Sequence, residues 1–239
     1  MSAALTVADS KRAFHAAFPH VIAPLYRRMV DELLVELHLL SRQKGFRSDP
    51  LFASGLIQVF DSFAKGYKPE AQRTLLLSAL CAASGFDASA LRQQRNAAME
   101  AMGSHSVEQV TQWIEQEGSG APEPVAAGLA SIRRSDFHYS RLMAVGLLSL
   151  LEQAQGADAM DPVALRNYAH DLGGAMGLLQ ERLDKDINLY ASNLEKMAQA
   201  VELMEETVAA ERRKRERQQQ GLTSGPEAEA APEASPSVG

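Results

Sequence analysis

The stretch Tyr26–Leu40, YRRMVDELLVELHLL, is the clearest guide to the fold of this chain. Its large apolar side chains recur every three or four residues, at Tyr26, Val30, Leu33, Leu37 and Leu40. This spacing places them on one face of an α-helix and leaves the charged residues on the other. The stretch therefore predicts a helix with one buried face and one charged, accessible face.

The composition extends this prediction to the whole chain of 239 residues. Hydrophobic residues make up 46% of the chain and aromatic residues only 6%, so we expect a core of Leu, Ala, Met and Val. No run of β-branched residues alternates polar and apolar side chains over the length of a strand. We predict an all-α fold, a helical bundle with a long, partly projecting C-terminal amphipathic helix of the coiled-coil type.

The net charge of −6 and the pI of about 5.6 argue against a nucleic-acid-binding domain, which usually has a basic excess. The single cysteine, Cys81, excludes a disulfide within the chain and is consistent with a reducing compartment. Its neighbours are apolar, so we expect a buried small side chain rather than a nucleophile.

Proline and glycine mark the predicted helix ends. Prolines precede helical runs at Pro24, Pro50, Pro69 and Pro162, and the predicted N-caps are Asp49 and Asp161. Glycines follow runs at Gly45, Gly66, Gly85 and Gly103. The predicted helices cover Val7–Ala17, Pro24–Lys44, Pro50–Lys65, Pro69–Ser84, Ala88–Met102, Val107–Glu117, Val125–Ile132, Phe137–Gln155 and a region from Pro162 onward. Because Pro69–Ser84 is apolar nearly all round, we expect it to be central.

The last helical region has a heptad pattern of apolar residues, at Leu183, Ile187, Tyr190, Leu194, Met197, Val201, Met204 and Val208. The predicted domains are a bundle over 1–182, a coiled-coil-like helix over 183–220 and a disordered tail over 221–239, which is rich in Pro, Glu, Ala and Ser. Gly173, Gly174 and Gly177 are expected to pack closely within the bundle. A break in the helix near Asp184–Asp186 is compatible with the pattern.

Two interpretations of the charged face remain open. Arg27 and Arg28 precede Asp31 and Glu32 by one helical turn, so intrahelical ion pairs explain them. The alternative is a partner-binding surface that includes Arg27, Arg28 and Glu32. On the last helix, the predicted partner-binding residues are Tyr190, Leu194, Met197, Val201 and Met204.

A metal or pigment site is the alternative hypothesis of a different class, with Glu32, Glu36 and His38 as ligands. Glu36 and His38 point about 200° apart around a helix, so they cannot hold one ion from one helix. The motifs E-x-x-H and H-E-x-x-H are absent. Neighbouring helices would have to supply further ligands, and we expect neither a metal nor a cofactor.

Catalytic signature motifs are also absent, including the P-loop, a dinucleotide-binding glycine motif and G-x-S-x-G. The polar group of Asp136, His138, Tyr139 and Arg141 is explained by a helix start. In that interpretation Ser135 or Asp136 is the cap and Arg141 is an ion-pair partner. We therefore predict that the protein is not an enzyme.

No signal peptide or transmembrane helix is expected. The N-terminus lacks an apolar h-region, and the longest apolar run, Leu142–Leu151, falls well short of the ~20 residues that span a bilayer. A basic cluster near the C-terminus is a candidate contact for anionic lipid headgroups, with a solubilising helix end as the alternative. It consists of Arg212, Arg213, Lys214, Arg215 and Arg217.

Five segments together carry a family resemblance. They are TVADSKRAF (Thr6–Phe14), the opening stretch Tyr26–Leu40, FDSFAKGY (Phe60–Tyr67), FHYSRLMAVGLLSLLE (Phe137–Glu152) and DINLYASNLEKM (Asp186–Met197). In this order they resemble the thylakoid formation protein family, also called the photosystem II biogenesis family.

The resemblance implies an all-helical, non-enzymatic protein of cyanobacteria and chloroplasts that acts in thylakoid biogenesis and in photosystem II assembly or repair. It implies an adaptor or stabiliser of the thylakoid FtsH protease complex, and it supplies no catalytic residues. Because the chain begins almost directly at Thr6–Phe14, it is similar to the cyanobacterial form. We therefore expect a peripheral location on the cytoplasmic side of the thylakoid membrane and no nucleic-acid partner.

Overall fold

The described part of the chain is built from α-helices alone, which confirms the predicted fold class. A computed structural model describes residues 5–103, 105–132, 134–155 and 162–223. These residues form α1 (Val7–Ala17), α2 (Pro24–Arg42), α3 (Pro50–Phe63), α4 (Gln72–Ala82), α5 (Ala88–Met102), α6 (Val107–Glu115), α7 (Glu123–Ile132), α8 (Arg141–Gln155), α9 (Pro162–Ala175) and α10 (Gln180–Thr223). Asp161 and residues 224–239 of the predicted disordered tail lie outside the described residues.

Packing divides the chain into two compact units, residues 1–197 and 198–239. The predicted domain boundary between 182 and 183 lies inside the first unit and remains a prediction. In the second unit, no side chain described between 198 and 219 is buried. Val201 and Met204 are half-buried there and Val208 is exposed, so this unit keeps apolar side chains accessible.

Local signals set several helix ends. Thr6 and Asp9 form a capping box at the start of α1, where the N–H of Thr6 donates to Asp9 Oδ2 at 2.8 Å. Asp49 accepts a hydrogen bond from the N–H of Phe52 at 2.9 Å, which confirms it as the N-cap of α3. α1 and α5 have their predicted bounds, whereas α4 begins at Gln72 rather than Pro69.

α3 and α8 form the centre of the bundle. Residues 51–57 of α3 and 142–151 of α8 are all buried. The two helices cross at a pair of glycines. A Cβ atom on Gly55 would lie 1.6 Å from the carbonyl oxygen of Leu142, and one on Gly146 would lie 2.0 Å from that of Leu51. Only glycine leaves room for backbones this close together.

The prediction that the Pro69–Ser84 region is central is wrong. α4 buries Leu76, Leu77 and Leu80 on one side, but Thr74 and Ser78 are exposed on the other. These polar residues give α4 a solvent face in spite of its many leucines. α3 is central instead, because its small residues allow α8 to approach closely.

A hairpin joins α9 to α10, and its turn covers residues 176–179. The helix break that the pattern allows near Asp184–Asp186 does not occur, because these residues lie inside α10. Gly177 adopts a φ of 76°, a left-handed conformation that suits glycine. The N–H of Leu178 donates to the carbonyl oxygen of Gly173 at 2.9 Å, which closes the end of α9.

The first residues of α10 pack tightly on this hairpin. Leu183 and Ile187 are buried in the core, with exposed fractions of 0% and 1%. A Cβ atom on Gly173 would lie 2.2 Å from Cδ2 of Leu183, so this glycine packs closely, as predicted. His170 Nδ1 and Asp184 Oδ2 lie 2.6 Å apart across the hairpin. The start of α10 is therefore part of the bundle rather than an appendage.

Gly146→Ala is expected to destabilise the protein by ~3 kcal/mol, the upper end of the overpacking range, because the new methyl group meets backbone rather than a movable side chain. The free energy of unfolding in urea measures this effect. Gly128→Ala in α7 is the control, because its Cβ atom would meet Leu51 Cγ at an ordinary 3.5 Å. That change should be neutral or stabilising by up to ~1 kcal/mol. Equal unfolding midpoints for the two variants would contradict the close crossing.

Candidate functional site

A charged cleft lies on the first unit, where α2, the start of α8 and the start of α10 meet. Its volume is about 600 Å³, which is in the range of ligand and peptide pockets. Its ionisable lining consists of Asp31, Glu32, Glu36, Arg141, Arg182 and Asp186. Leu39 lies beside these charges with 59% of its surface exposed. The cleft therefore combines charges of both signs with an accessible apolar side chain.

Arg141 at the start of α8 connects the cleft to α2. Its Nε atom donates to Glu36 Oε2 at 2.6 Å, and its Nη1 atom lies 3.8 Å from Glu32 Oε2. Arg28 Nε donates to Glu32 Oε1 at 2.8 Å. This chain of alternating charges runs along the α2 side of the cleft, and it holds the carboxylates in defined positions.

The opposite wall is formed by Tyr139 and α10. The hydroxyl of Tyr139 donates to Asp186 Oδ2 at 2.9 Å, and the guanidinium carbon of Arg182 lies 4.8 Å from the centre of the tyrosine ring. Burial, and then the hydrogen bond to Asp186, raise the pKa of Tyr139 above its ordinary value. The phenol therefore stays protonated and acts as a hydrogen-bond donor.

Burial also raises the pKa of Glu36, although the neighbouring Arg141 opposes the shift. The side chain of Glu36 is only 14% exposed, whereas that of Arg141 is 39% exposed. Glu36 thus anchors Arg141 from below, and the outer part of the guanidinium remains accessible. These groups place ion-pair and hydrogen-bond partners at the accessible surface of the cleft.

The two ion pairs predicted within α2, Arg27–Asp31 and Arg28–Glu32, have different outcomes. The Arg28–Glu32 pair is confirmed. Arg27 instead donates from Nε to the carbonyl oxygen of Ile22 at 3.0 Å, and Asp31 pairs with Lys11 of α1 at 3.0 Å. Arg27 is closer to the segment before α2 than to the cleft, so only Arg28 and Glu32 of the predicted set join this site.

A family model for the thylakoid formation protein matches residues 6–219 of the chain. The chain belongs to the thylakoid formation protein family. Protein Thf1 of Prochlorococcus marinus (strain MIT 9313) is 58% identical over 217 residues, which are 90% of this chain and 89% of that protein. Protein Thf1 of Synechococcus elongatus (strain ATCC 33912 / PCC 7942 / FACHB-805) is 46% identical over 218 residues, 90% of this chain and 86% of the relative.

A solved structure agrees with this membership. The structure of Psb29 at 1.55 Å matches with a TM-score of 0.77 and 37% sequence identity, over 89% of this chain and 99% of that one. The family resemblance carried by the five segments is therefore confirmed. Among the residues described for this thylakoid formation protein, we find no helix with both the length and the apolar character needed to cross a bilayer.

The three candidate ligands of a metal or pigment do not come together in this thylakoid formation protein. His38 is buried, and its Nδ1 atom lies 2.8 Å from Oγ of Ser10. Glu32 and Glu36 face the cleft, where they contact Arg141. In the described part of the chain, no group of three His, Cys, Asp or Glu side chains is placed to hold a metal ion.

The predicted partner-binding residues of α10 differ in their surroundings. Tyr190 contacts its own bundle, because its hydroxyl donates to Ser62 Oγ at 3.2 Å. Met197 is partly buried and packs against the core of the first unit. Leu194 is half-buried in the first unit, and Val201 and Met204 are half-buried in the second. Tyr190 and Met197 thus already have contacts within the chain, which leaves the later residues as the more accessible ones.

The sequence did not reveal that Tyr139 and Arg141 face α2. The sequence predicts only a helix start around Tyr139, with Ser135 or Asp136 as its cap. The observed cap is Ser140, whose Oγ accepts from the N–H of Met143 at 3.4 Å, while Asp136 pairs with Arg134. The ion-pair role of Arg141 is confirmed, but its partners lie far away in the sequence, and periodicity gives no information on such contacts.

Glu36→Gln should remove a loss of stability that the wild type shows as the pH rises. Because the pKa of Glu36 in the folded protein lies above its ordinary value of 4.5, the folded state holds this proton more tightly than the unfolded chain does. The contribution of Glu36 to stability therefore decreases as the pH rises through that raised pKa. Relative to the variant, the wild type is expected to lose unfolding free energy as the pH rises above the ordinary pKa of 4.5, as measured by urea denaturation. If the wild type instead gains unfolding free energy relative to the variant as the pH rises, the ion pair with Arg141 outweighs burial.

Proposed function

We propose that this thylakoid formation protein is a non-enzymatic adaptor or stabiliser of the thylakoid FtsH protease complex during photosystem II assembly and repair. In this proposal the bundle is a rigid scaffold that presents two recognition surfaces. One is the charged cleft between α2, α8 and α10. The other is the accessible part of α10 from residue 198 onward.

The observation that carries the proposal is the heptad pattern of α10, which continues from the first unit into the second. Leu183 and Ile187 are core residues of the first unit. In the second unit, the heptad residue Val208 is 61% exposed, and Val201 and Met204 are half-buried. Leu203, outside the heptad pattern, is 65% exposed. An amphipathic helix whose apolar residues stay accessible is suited to pack against a helix of a partner.

The charged cleft supports the same type of function. Arg141 pairs with Glu32 and Glu36 on one side of the cleft, and Tyr139 contacts Asp186 and Arg182 on the other. Leu39 adds an exposed apolar contact beside these groups. Mixed charges around an apolar contact favour specificity for one partner over others. The cleft is therefore the surface of the bundle that we assign to a protein partner.

The proposal includes a peripheral location on the cytoplasmic side of the thylakoid membrane. The basic cluster Arg212–Arg217 is fully accessible, since every side chain described from 211 to 219 is exposed. Arg212 pairs with Glu216 at 3.0 Å within the same helix. Basic side chains near an anionic membrane gain about 1 kcal/mol each, so the cluster would help to hold the protein at the surface.

Recovery of FtsH from mildly solubilised thylakoids tests the proposal directly. The bait variant should end at Met197 rather than before Asp186, because a cut at Asp186 would remove the core residue Ile187 and unfold the bundle. We expect the full-length chain to recover FtsH subunits and the chain ending at Met197 to recover them only at background level. Quantitative mass spectrometry of the bound fraction measures the difference.

The matched control for this experiment is a chain ending at Thr223, which removes only the residues after α10. It should recover FtsH as well as the full-length chain does. Circular dichroism must show that the bundle is folded in every bait. If the full-length chain does not enrich FtsH, the adaptor proposal is wrong. If the chain ending at Met197 still enriches it, the part of α10 after Met197 is not the docking element.

A further inference from the structure

Three charged side chains meet at a corner of the bundle that α3, α4 and α5 form. Asp61 comes from the last turn of α3, Arg73 from the first turn of α4, and Arg92 from α5. Arg92 Nη2 and Nη1 donate to the two carboxylate oxygens of Asp61 at 3.3 and 3.4 Å. Arg73 Nη2 lies 3.8 Å from Asp61 Oδ1 and donates to the Asp61 carbonyl oxygen at 3.4 Å.

This corner has more positive than negative charge. Two guanidinium groups share the single carboxylate of Asp61, which leaves a net charge of +1 on the three side chains. Their contacts of 3.3 to 3.8 Å are longer than the 2.7–2.9 Å of a well-formed charge-assisted hydrogen bond. Asp61 therefore neutralises neither arginine fully.

The corner also has more donors than acceptors. Each arginine has five N–H groups and no acceptor. In the described part of the chain, Nε of Arg73 and Nε of Arg95 are buried without a hydrogen-bond partner. Arg95 lies one turn after Arg92 on α5, and its Nη1 atom donates to the side chain of Asn96 at 3.2 Å. An acceptor that enters this corner from solvent would pair with the partly exposed guanidinium groups of Arg73 and Arg92 rather than with the two buried Nε atoms.

The guanidinium groups are accessible to such an acceptor. The side chains of Arg73 and Arg92 are 28% and 38% exposed, so they are neither buried in the core nor free in solvent. The connection between α3 and α4 adds two exposed lysines, Lys65 and Lys68, against one exposed glutamate, Glu70. The local charge of this connection thus has the same sign as that of the corner.

We propose that Arg73 and Arg92 form an anion-binding site for a phosphate group. A phosphate carries the negative charge that the corner lacks, and its oxygens accept paired hydrogen bonds from guanidinium groups. The bound group is either a small phosphate compound or the phosphate of an anionic lipid headgroup. The other interpretation is an ion-pair cluster that only joins α3, α4 and α5.

Phosphate binding to the full-length protein tests the site. Inorganic phosphate is titrated at constant ionic strength, with chloride as the compensating anion, and binding is followed by calorimetry and by the NMR signals of the arginine Nε–H groups. Saturable binding that moves the signals of Arg73 and Arg92 is expected. Arg92→Gln should weaken it by about tenfold, since each hydrogen bond to a charged group contributes about that factor.

Asp61→Asn separates the two interpretations. It removes the carboxylate that competes for both arginines and raises the charge of the corner, so phosphate should bind more tightly than to the wild type. A cluster with a purely structural role predicts only lower stability and no gain in binding. Arg134→Gln is the matched control for charge. Arg134 forms two short hydrogen bonds to Asp136, at 2.9 and 2.7 Å, so this pair has no excess of positive charge.

Vesicles identify the source of the phosphate. Full-length protein and the Arg92→Gln variant are floated with phosphatidylcholine vesicles that contain or lack phosphatidylglycerol. Saturable binding of inorganic phosphate that depends on Arg92 supports a small ligand. Flotation that needs phosphatidylglycerol and weakens in Arg92→Gln supports a lipid headgroup. If neither inorganic phosphate nor vesicle binding responds to Arg92→Gln and Asp61→Asn, the proposal is wrong.

Discussion

The rest of the bundle depends on the close crossing of α3 and α8 at Gly55 and Gly146. Because the two backbones are in contact there, neither helix can shift along the other without a steric clash. The start of α8 is thereby held over α2, where Arg141 reaches Glu36 at 2.6 Å. A packing constraint in the core thus sets the geometry of a charged surface. The cleft requires that precision, because its ion pairs join α2 to α8 and its contacts with Tyr139 come from α10.

The two surfaces that we propose for partner recognition in this thylakoid formation protein have different physical characters. The cleft is anchored: Glu36 lies beneath Arg141, and Tyr139 is held by Asp186 and covered by Arg182. Such pre-organised charges contribute more to the specificity of binding than to its affinity. The second unit presents accessible apolar residues of a heptad pattern instead, which gain their free energy when a partner buries them. An adaptor requires both properties, one surface for selection and one for affinity.

Sequence periodicity was sufficient for the helices, because amphipathic spacing and proline or glycine ends are local signals. The family followed from the resemblance of five segments, which the family match confirms. Periodicity failed where the outcome depended on contacts between distant segments. The composition of α4 is rich in leucine and therefore predicts a central helix. In the structure α4 has an exposed face, and α3 is the central helix. Gly55 and Gly146 each lie in an apolar run, and two such glycines indicate a close crossing only when the helices are known to be neighbours. The same limit hid the contact of Arg141 with Glu36 and the convergence of Arg73 and Arg92 on Asp61.

Hydrogen exchange followed by mass spectrometry, on the free protein and on its complex with FtsH, tests the central claim most directly. In the free protein, α3 and α8 should be the slowest segments to exchange, and residues 198–219 among the fastest, because none of their side chains is buried. In the complex, protection should increase along residues 31–40, 139–141 and 198–219 and stay unchanged in α3 and α8. Fast exchange in α3 and α8, or new protection confined to α4–α6, would contradict the account.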